Sequence, residues 1–443
     1  MLDSPGRAAQ AASFSGIDFS GCRTVVAAVS GGGDSLALLF LLKEHLARNV
    51  PGVEPVAVTV DHGLRPEAAA EASAVAALCG RIGISHRTMR WEGAKPSAGL
   101  QQAAREARYA LLAEAAGEAG AGLILTGHTL DDQLETFAMR KRRGDGRGLA
   151  GIAPATLYDG RLWIARPLLN VRREELRSCL RALGVAWHED PSNKDPKYER
   201  ARVRSSFAGR PDADDDAKSI DEMRDAAAER VRLGTSAAAL IRRYARRVSP
   251  GLYRLDREFS GAEEEAAVYA LRILLAVVGG RAQLPDAPRT AALLAQLSGP
   301  KARATLSRSV VEMREEGFYL RRELRGLPNA GSARSGEIWD GRYRIEADAA
   351  QGIDIAPFGE EAAEIWAAPL DGDRPALFRA ALAAEPALSR GIECLGHAPA
   401  AAPVAGPWAR FLPSFDLAPA TAVAELVGGS PLPAPPVTPC VAQ

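Results

Sequence analysis

The stretch AAVSGGGDSLALL, residues 27–39, decides the fold, because an apolar run breaks into three glycines and resumes after an aspartate. The β-branched run before it predicts a strand, and the apolar spacing after it predicts a helix beginning near Leu36. Glycines let a backbone approach an anion closely, and the N–H groups of the following helix point at that anion. The predicted pyrophosphate cradle consists of Ser30, Gly31, Gly32, Gly33, Asp34 and Ser35.

The loop carries an acid where a loop that transfers a terminal phosphate carries a lysine. Neither the G-x-x-x-x-G-K-[ST] spacing nor the G-x-G-x-x-G spacing is present in this stretch. Because a carboxylate repels phosphates, Asp34 predicts a Mg²⁺ ion between itself and the bound nucleotide. The alternative is an ordinary strand-to-helix turn, for which consecutive glycines and an aspartate near the N-cap are common.

The composition restricts the class of protein. The 443 residues suffice for two or three domains, and 55 basic residues balance 55 acidic ones, so only local charge clusters bear on partners. The five cysteines are widely spaced, which indicates a reducing compartment, and we predict a cytoplasmic protein. The sequence has no run of 18 apolar residues, so we expect no membrane association.

Strand-like and helix-like segments alternate through roughly the first 190 residues, which predicts an α/β fold: a parallel twisted sheet with helices on both faces. Residues 1–210 are predicted to form the catalytic domain, 211–330 a mostly helical substrate-binding domain, and 331–443 a small α+β region. That last region ends in an Ala/Pro-rich segment expected to be a flexible tail that buries little. In a parallel sheet, ligands bind beyond the carboxyl ends of the strands.

The loop and four later segments together resemble one family. S-G-G-x-D-S after the first strand resembles the PP-loop ATP pyrophosphatases, which split ATP into AMP and pyrophosphate. The later segments resemble blocks of the tRNA(Ile)-lysidine synthases within that superfamily. They are VDHGLRPEAAAEA (60–72), GHTLDDQLETFAMR (127–140), RGDGRGLAGI (143–152) and RPLLNVRREELRSCLRALGVAWHEDPSNKDPKYERARVR (166–204).

The resemblance implies a two-step modification of the wobble cytidine of an isoleucine tRNA with a CAU anticodon. ATP adenylates the C2 oxygen of that cytidine, and the side-chain amine of free L-lysine then displaces AMP to give lysidine. It also implies the loss of pyrophosphate rather than transfer of the terminal phosphate, which accounts for the missing lysine. The expected partners are therefore ATP, Mg²⁺, L-lysine and tRNA; the oligomeric state stays open, a homodimer being one alternative.

An acidic segment is the predicted lysine site. If a helix follows Gly127, then His128, Asp132 and Glu135 lie at i, i+4 and i+7 on one face. The two carboxylates suit the ammonium group of lysine and can later accept a proton from the attacking amine, while Asp131 points about 100° away. The alternative is a solvated helix start, where acids favour the helix dipole.

Three further groups of residues are candidates for nucleotide and tRNA contacts. His62 follows the second strand and is either an active-site residue or a buried structural histidine. Asp61 is either a second metal ligand or a turn residue. The family pattern implies phosphate or tRNA contacts for basic residues that otherwise read as solvated surface. These are Arg65, Arg105, Arg108, and, in the basic loop RKRRGDGR, Arg140, Arg143 and Arg147. The segment RRYARR is a second basic patch, in the predicted helical domain, and two such patches in an otherwise neutral chain favour tRNA as the partner.

Two features depart from the family. One residue is missing between the second and third glycines of RGDGRGLAGI, and Ala201 stands where the family often has asparagine. The alternatives are a sulfur-inserting tRNA enzyme, disfavoured because no two cysteines are close in sequence, and a non-catalytic nucleotide- or tRNA-binding protein, disfavoured by the intact acidic residues. An amidotransferase-linked synthetase would need a glutaminase domain that the sequence does not show.

Overall fold

A computed structural model of the chain describes residues 13–144, 146–189, 195–197, 199–207, 213–297, 303–346, 352–367, 375–390, 393–396 and 401–437. The chain divides into two compact units, residues 1–228 with 434–443, and residues 229–433. The boundary falls within one long helix, so the predicted three-part division at 210 and 330 stays a prediction.

The first unit contains the predicted α/β sheet. Its strands are β1 (Thr24–Ala28), β2 (Glu54–Asp61), β3 (Ser85–Arg90), β4 (Leu123–Thr126), β5 (Ala155–Tyr158) and β6 (Leu162–Ala165). They lie side by side in the order β5-β6-β4-β1-β2-β3. All neighbours are parallel except the β5–β6 pair, which is antiparallel. The central strands β1 and β4 are buried along nearly their whole length, as a sheet covered on both faces requires.

The helices of this unit follow the strands in alternation. They are α1 (Gly33–Asn49), α2 (Ala68–Arg81), α3 (Leu100–Glu118), α4 (Leu130–Arg143), α5 (Arg173–Ala182), α6 (Glu199–Phe207) and α7 (Ala213–Tyr244). The chain moves outward from β1 to β2 and β3 and then crosses back to β4 on the other side of β1. Right-handed crossovers therefore place α1 and α2 on one face and α3 on the other. The order reverses between β1 and β4, so the crevice beyond their carboxyl ends is the expected ligand site.

The second unit combines antiparallel sheets with helices. Its strands are β7 (Ala245–Ser249), β8 (Leu252–Asp256), β9 (Arg303–Leu306), β10 (Ser309–Arg314), β11 (Gly317–Arg322), β12 (Gly331–Ser332), β13 (Ile338–Trp339), β14 (Tyr343–Ile345), β15 (Asp354–Pro357), β16 (Pro386–Arg390), β17 (Glu393–Gly396), β18 (Ala401–Pro403) and β19 (Phe411–Pro413). Three antiparallel sheets have the orders β7-β8-β11-β10-β9, β12-β15-β16-β17 and β13-β14-β18. Residues 211–330, predicted mostly helical, thus also carry a complete sheet.

The helices of the second unit form part of its core. They are α8 (Glu264–Val278), α9 (Ala287–Leu297), α10 (Glu360–Ala367), α11 (Pro375–Leu382) and α12 (Leu417–Val427). Residues 401–437 are not a tail that buries little, because α12 buries Pro419, Ala420 and Val423 among others. Alanine is a strong helix former, and one apolar face is enough for such a segment to pack. Within the described ranges, each helix is too short or too polar to cross a bilayer.

Candidate active site

The predicted pyrophosphate loop joins β1 to α1. Helix α1 begins at Gly33, three residues earlier than expected, so Asp34 and Ser35 lie in its first turn. No described side chain caps the helix at Gly32, which leaves its first N–H groups available to an anion. The Ser30 N–H donates to Ser35 Oγ at 3.1 Å, and the Ser35 hydroxyl donates to the Gly32 carbonyl at 2.9 Å. These bonds hold the loop closed on itself.

Two glycines are required by the geometry of the loop and its neighbour. Gly31 has φ +83°, a left-handed conformation that side chains rarely adopt. Gly127 lies so close to α1 that a Cβ there would stand 2.9 Å from the carbonyl oxygen of Asp34. The turn after β4 is therefore pressed against the start of α1. On the other side, the His188 N–H donates to the Gly31 carbonyl at 3.0 Å, so the segment before residue 190 covers the loop.

Helix α4 begins with a capping box, which corrects one prediction. Thr129 is the N-cap, its side chain accepts from the Asp132 N–H, and the Thr129 N–H donates to Asp132 Oδ2 at 2.8 Å. His128 consequently precedes the helix, and the predicted i, i+4, i+7 face is wrong for that residue. Asp132 and Glu135 lie within α4 three residues apart and share a face, as predicted.

A single arginine joins the nucleotide loop to the acidic helix. Arg173, the first residue of α5, donates from Nε to Asp34 Oδ2 at 3.1 Å and from Nη2 to Asp132 Oδ1 at 3.0 Å. Its Nη1 lies 3.4 Å from Glu135 Oε1. The Arg173 backbone N–H donates to Asp131 Oδ2 at 2.7 Å, so Asp131 accepts from the backbone of Arg173 and not from its guanidinium group. The fold thus brings Asp34, Asp132 and Glu135 around one guanidinium group.

Two arginines of α6 complete this cluster. Arg200 donates to Glu135 Oε2 at 2.8 Å and to Asp132 Oδ1 at 3.0 Å. Arg204 donates to the two oxygens of Glu135 at 2.7 Å and 3.1 Å. No role was predicted for these two residues or for Arg173. Their signal was present in the sequence, because Arg200 and Arg204 have i, i+4 spacing and buried carboxylates require nearby cations.

The pKa values of Asp34 and His128, two of the predicted catalytic groups, shift in opposite directions. Burial raises the pKa of Asp34; the Arg173 guanidinium opposes this shift, and the Asp132 carboxylate adds to it. The pKa of His128 lies well below its ordinary value, because of burial first and then the nearby Arg166 and Arg108. His128 is therefore neutral at pH 7, with Nδ1 at 3.0 Å from the Thr126 hydroxyl. It is a neutral imidazole at the carboxyl end of β4.

Arginines that form no ion pair with a described acid, Arg105, Arg108 and Arg166, lie on the His128 side of the crevice. Arg166 is buried, donates to the Ala153 carbonyl at 2.8 Å and to Thr156 Oγ1 at 2.9 Å, and has no described partner for Nε. Arg105 stacks over the Tyr109 ring at 5.0 Å. Positive charge that exceeds the local negative charge attracts anions, so this side of the crevice is suited to phosphate.

The residues after β2 lie beside a cavity of about 330 Å³. Asp61 Oδ1 accepts from the Gly63 N–H at 2.8 Å, which is the predicted turn role, and Arg90 Nε approaches Asp61 Oδ2 at 3.9 Å. Arg65 donates to Glu71 at 2.9 Å and lines the cavity. The pKa of His62 is lowered, by burial and then by Arg108, and its Nδ1 is buried with no described partner.

The predicted metal ligands do not form a protein-only cage. Across the residues that the structure describes, no three His, Cys, Asp or Glu side chains are grouped so as to hold a metal ion. Asp34 is engaged through Oδ2 alone, and Asp61 is engaged as described above. A Mg²⁺ ion that bridges phosphates commonly uses one or two carboxylates, so Asp34 fits such a role and Asp61 fits it less well.

The predicted tRNA-binding arginines of the basic loop have unequal surroundings. Arg140 donates to the Gly148 carbonyl at 2.8 Å and so supports the turn after α4. Arg143 pairs with Glu199 on α6 and is otherwise exposed. Arg147 is half-buried in a 3-10 turn, and Arg142 is exposed to solvent. The exposed guanidinium groups of this loop are available to a phosphate backbone, whereas Arg140 has a structural task.

The second basic patch, RRYARR, is largely engaged within its own unit. Arg242 pairs with Glu425 at 2.7 Å, and Arg246 donates to the carbonyls of Arg242, Arg243 and Ala245 at the end of α7. Arg247 donates to the last carbonyl of α12 at 3.1 Å. Basic residues at helix C-termini stabilise the unpaired carbonyls. These contacts favour a structural explanation for the patch.

Comparisons with known proteins match this chain to a family model and to curated relatives. A family model described as a PP-loop domain (ATP_bind_3) matches residues 8–210. A tRNA(Ile)-lysidine synthase of Mesorhizobium japonicum is 55% identical over 440 residues, covering 96% of each chain. That of Rhizobium meliloti is 40% identical and covers 94% of each chain. Among solved structures, a U34-tRNA thiolase of Methanococcus maripaludis has a TM-score of 0.40 and 18% identity, covering 50% of this chain and 77% of that one.

The alignments with the two synthases extend beyond the nucleotide-binding unit. Since the two synthases align along nearly the entire chain, the second unit shares their ancestry together with the first. The chain is a member of the tRNA(Ile)-lysidine synthase family, built on a PP-loop domain.

Proposed function

We propose that this protein ligates L-lysine to C2 of the wobble cytidine in the CAU anticodon of isoleucine tRNA. In the first step the C2 oxygen attacks the α-phosphorus of ATP, and pyrophosphate leaves. In the second step the side-chain amine of lysine attacks C2 and AMP leaves, so the product is lysidine. The observation that carries the proposal is the convergence of Asp34 in the nucleotide loop with Asp132 and Glu135 on one guanidinium group.

The ATP step uses the loop between β1 and α1. We assign the pyrophosphate to the N–H groups at the start of α1, which no described side chain caps, and to the hydroxyls of Ser30 and Ser35, which lie 3.2 Å apart. We assign the nucleoside part of ATP to the cavity lined by Asp61 and Arg65, because it lies at the carboxyl end of β2, the strand that pairs with β1. Arg105 and Arg108 add positive charge on the other side.

A divalent cation is part of the proposal. Asp34 is the carboxylate that would hold Mg²⁺, since it lies in the first turn of α1 and uses one oxygen for Arg173. Bound there, Mg²⁺ would neutralise charge on the phosphates that depart as pyrophosphate. Without the ion, Asp34 would repel those phosphates. A Mg²⁺ ion between them would offset this repulsion, which explains why the loop tolerates an acid in this position.

The lysine step uses the acidic residues of α4. Asp132 and Glu135 carry two carboxylates in a largely buried setting, where an ammonium group is the complementary ligand. The amine must lose a proton to attack C2, and a carboxylate in contact with it can accept that proton. The neutral His128 lies at the same end of the sheet and can hydrogen-bond to the cytidine without adding a positive charge.

The proposed tRNA contacts are basic residues around the loop that follows α4. Exposed Arg143 is the last residue of α4 and half-buried Arg147 lies in the turn after it, both close in sequence to the lysine site, and a glycine-containing loop can follow a nucleic-acid backbone. A reducing, cytoplasmic location fits the described cysteines, Cys22, Cys79 and Cys179, which are free thiols. The oligomeric state, with a homodimer as one alternative, is a matter for measurement in solution.

The direct test is incubation of the purified protein with the CAU-anticodon isoleucine tRNA, ATP, Mg²⁺ and labelled lysine. We expect label in the tRNA and release of AMP and pyrophosphate in equal amounts. Methionine tRNA, which shares the anticodon, is the matched substrate control. A folded protein that consumes ATP but transfers no lysine would contradict the assignment.

A variant separates the two half-reactions. Glu135→Gln preserves the shape of the side chain and removes its charge, so we expect pyrophosphate release to continue while lysine incorporation falls. Asp34→Ala should instead impair the ATP step. Equal losses of both half-reactions in both variants would show that the two residues do not divide the work as proposed.

A further inference from the structure

The carboxylates of the proposed lysine site have their hydrogen-bonding capacity fully used. An ionised carboxylate offers about four acceptor positions. Glu135 accepts from Arg173 and Arg204 at Oε1, and from Arg200 and Arg204 at Oε2. Asp132 accepts from Arg173 and Arg200 at Oδ1, while Oδ2 serves the Thr129 N–H and hydroxyl. A lysine ammonium, which needs up to three acceptors, therefore has to replace existing donors.

The charges lead to the same conclusion. Three acids, Asp34, Asp132 and Glu135, face three guanidinium groups, those of Arg173, Arg200 and Arg204. A fourth cation added to this balanced and mostly buried set would lack a counter-charge, which is costly in a medium of low polarity. Entry of the ammonium therefore requires the departure of a guanidinium group.

The three arginines differ in how firmly they are held. The Arg173 side chain is 15% exposed, and its backbone N–H is bonded to Asp131 at the start of α5. Arg200 and Arg204 are 41% and 34% exposed, and they lie one turn apart on the short helix α6. Since these two guanidinium groups are partly exposed, water can solvate them once they leave the carboxylates, and the α6 arginines are the ones able to leave.

We propose that Arg200 and Arg204 form an internal latch that competes with substrate lysine for Glu135 and Asp132. In the latched state the two guanidinium groups occupy the acceptors; binding of the lysine ammonium displaces them, while Arg173 stays in place. The apparent Kd for lysine is then the intrinsic Kd divided by the fraction of molecules in which the latch is open, so a mostly closed latch weakens binding. This inference rests on the proposed function, since it takes Glu135 and Asp132 to be the lysine site.

The test is calorimetric titration of the full-length protein with L-lysine. The variants are Arg200→Gln, Arg204→Gln and the double substitution, which keep polar side chains and remove the competing charges. We expect the double variant to bind lysine about tenfold more tightly than the unmodified protein, with each single variant between the two. Arg202→Gln is the matched control, because Arg202 lies on the same helix and its hydrogen-bond partners among the described residues are the carbonyls of Pro196 and Lys197.

Weaker binding in the single and double variants, with Arg202→Gln unchanged, would overturn the latch and show that these arginines hold the substrate. Circular dichroism melts identify any variant that fails to fold, and the single variants then decide the matter. Glu135→Gln separates the two levels of the argument. If Glu135→Gln binds lysine as tightly as the unmodified protein does, the proposed lysine site itself fails, and the latch fails with it.

Hydrogen exchange provides an independent measurement. Saturating lysine should speed exchange of the α6 amides, residues 199–207, in the unmodified protein, because displaced arginines no longer tie that helix to α4. In the double variant these amides should exchange rapidly with or without lysine. Slower exchange of α6 on addition of lysine would mean that the helix closes over the substrate, and would refute the latch.

Discussion

Replacing Gly127 by alanine tests whether the turn after β4 must press against the nucleotide loop. The added Cβ would lie 2.9 Å from the Asp34 carbonyl oxygen, 3.0 Å from its carbon and 3.1 Å from the Ser35 nitrogen. All three are backbone atoms, so no side-chain rotation relieves the contact. Reaching an ordinary separation requires a shift of about 0.5 Å, and overpacking of this kind costs about 1–3 kcal/mol.

The shift falls where catalysis is most sensitive. It separates the start of α1, which carries Asp34, from the turn that carries His128, and misplacement of about 1 Å is enough to lower a rate about 100-fold. We therefore expect kcat/KM for ATP in Gly127→Ala to fall at least tenfold, and the free energy of unfolding to fall by about 1–3 kcal/mol.

The assay is pyrophosphate release at varied ATP concentration, combined with urea unfolding. Gly122→Ala is the control, because Gly122 is five residues away and a Cβ there meets no atom within 4 Å. Its stability should be unchanged or slightly higher, since alanine restricts the unfolded chain. Unaltered ATP kinetics in Gly127→Ala would refute the close approach of the two loops.

Three further predictions concern single residues. Glu135→Gln should lower kcat/KM for lysine about 100-fold, corresponding to about 2.7 kcal/mol, in lysine saturation kinetics; a loss under threefold would contradict the role. Because the folded pKa of His128 is depressed, its contribution to stability is present above about pH 6.5 and is lost as the pH falls below that value. His128→Gln should therefore show a shallower acid decline in urea unfolding, and an identical decline would count against it. Arg140→Ala should cost about 1–2 kcal/mol by removing the bond to Gly148, while exposed Arg142→Ala should cost nothing measurable; equal effects would refute the structural role of Arg140.

Much of the first unit was predictable because local patterns decided it. The strand, glycine loop and helix around residues 24–49 follow from apolar spacing and glycine, and the alternation of strands and helices correctly indicated a parallel sheet. The predicted pair Asp132 and Glu135 also depended only on helical spacing. The position of His128 was mispredicted because the hydroxyl of Thr129 caps the helix, so that the helix begins at Leu130 and His128 lies before it.

Other features depend on contacts that no local pattern encodes. The segment 401–437, rich in alanine and proline, contains a buried helix because an apolar partner surface exists for it in the second unit. The patch RRYARR was expected to contact tRNA, and the contacts of Arg242, Arg246 and Arg247 with α12 and with the carbonyls at the end of α7 favour a structural explanation for it. Composition cannot distinguish a basic residue that caps a helix from one that faces a ligand, because the difference depends on which distant segments of the chain pack beside that residue.

The sequence by itself determined the nucleotide loop, its unusual acid and the acidic residues of α4. Only the tertiary structure decided that these acids meet around Arg173, and that Arg200 and Arg204 occupy their acceptors. The physical reason is the reversal of strand order between β1 and β4, which brings together segments about a hundred residues apart. Periodicity reports which face of a helix is apolar, but the charge opposite a carboxylate is set by the packing of distant helices.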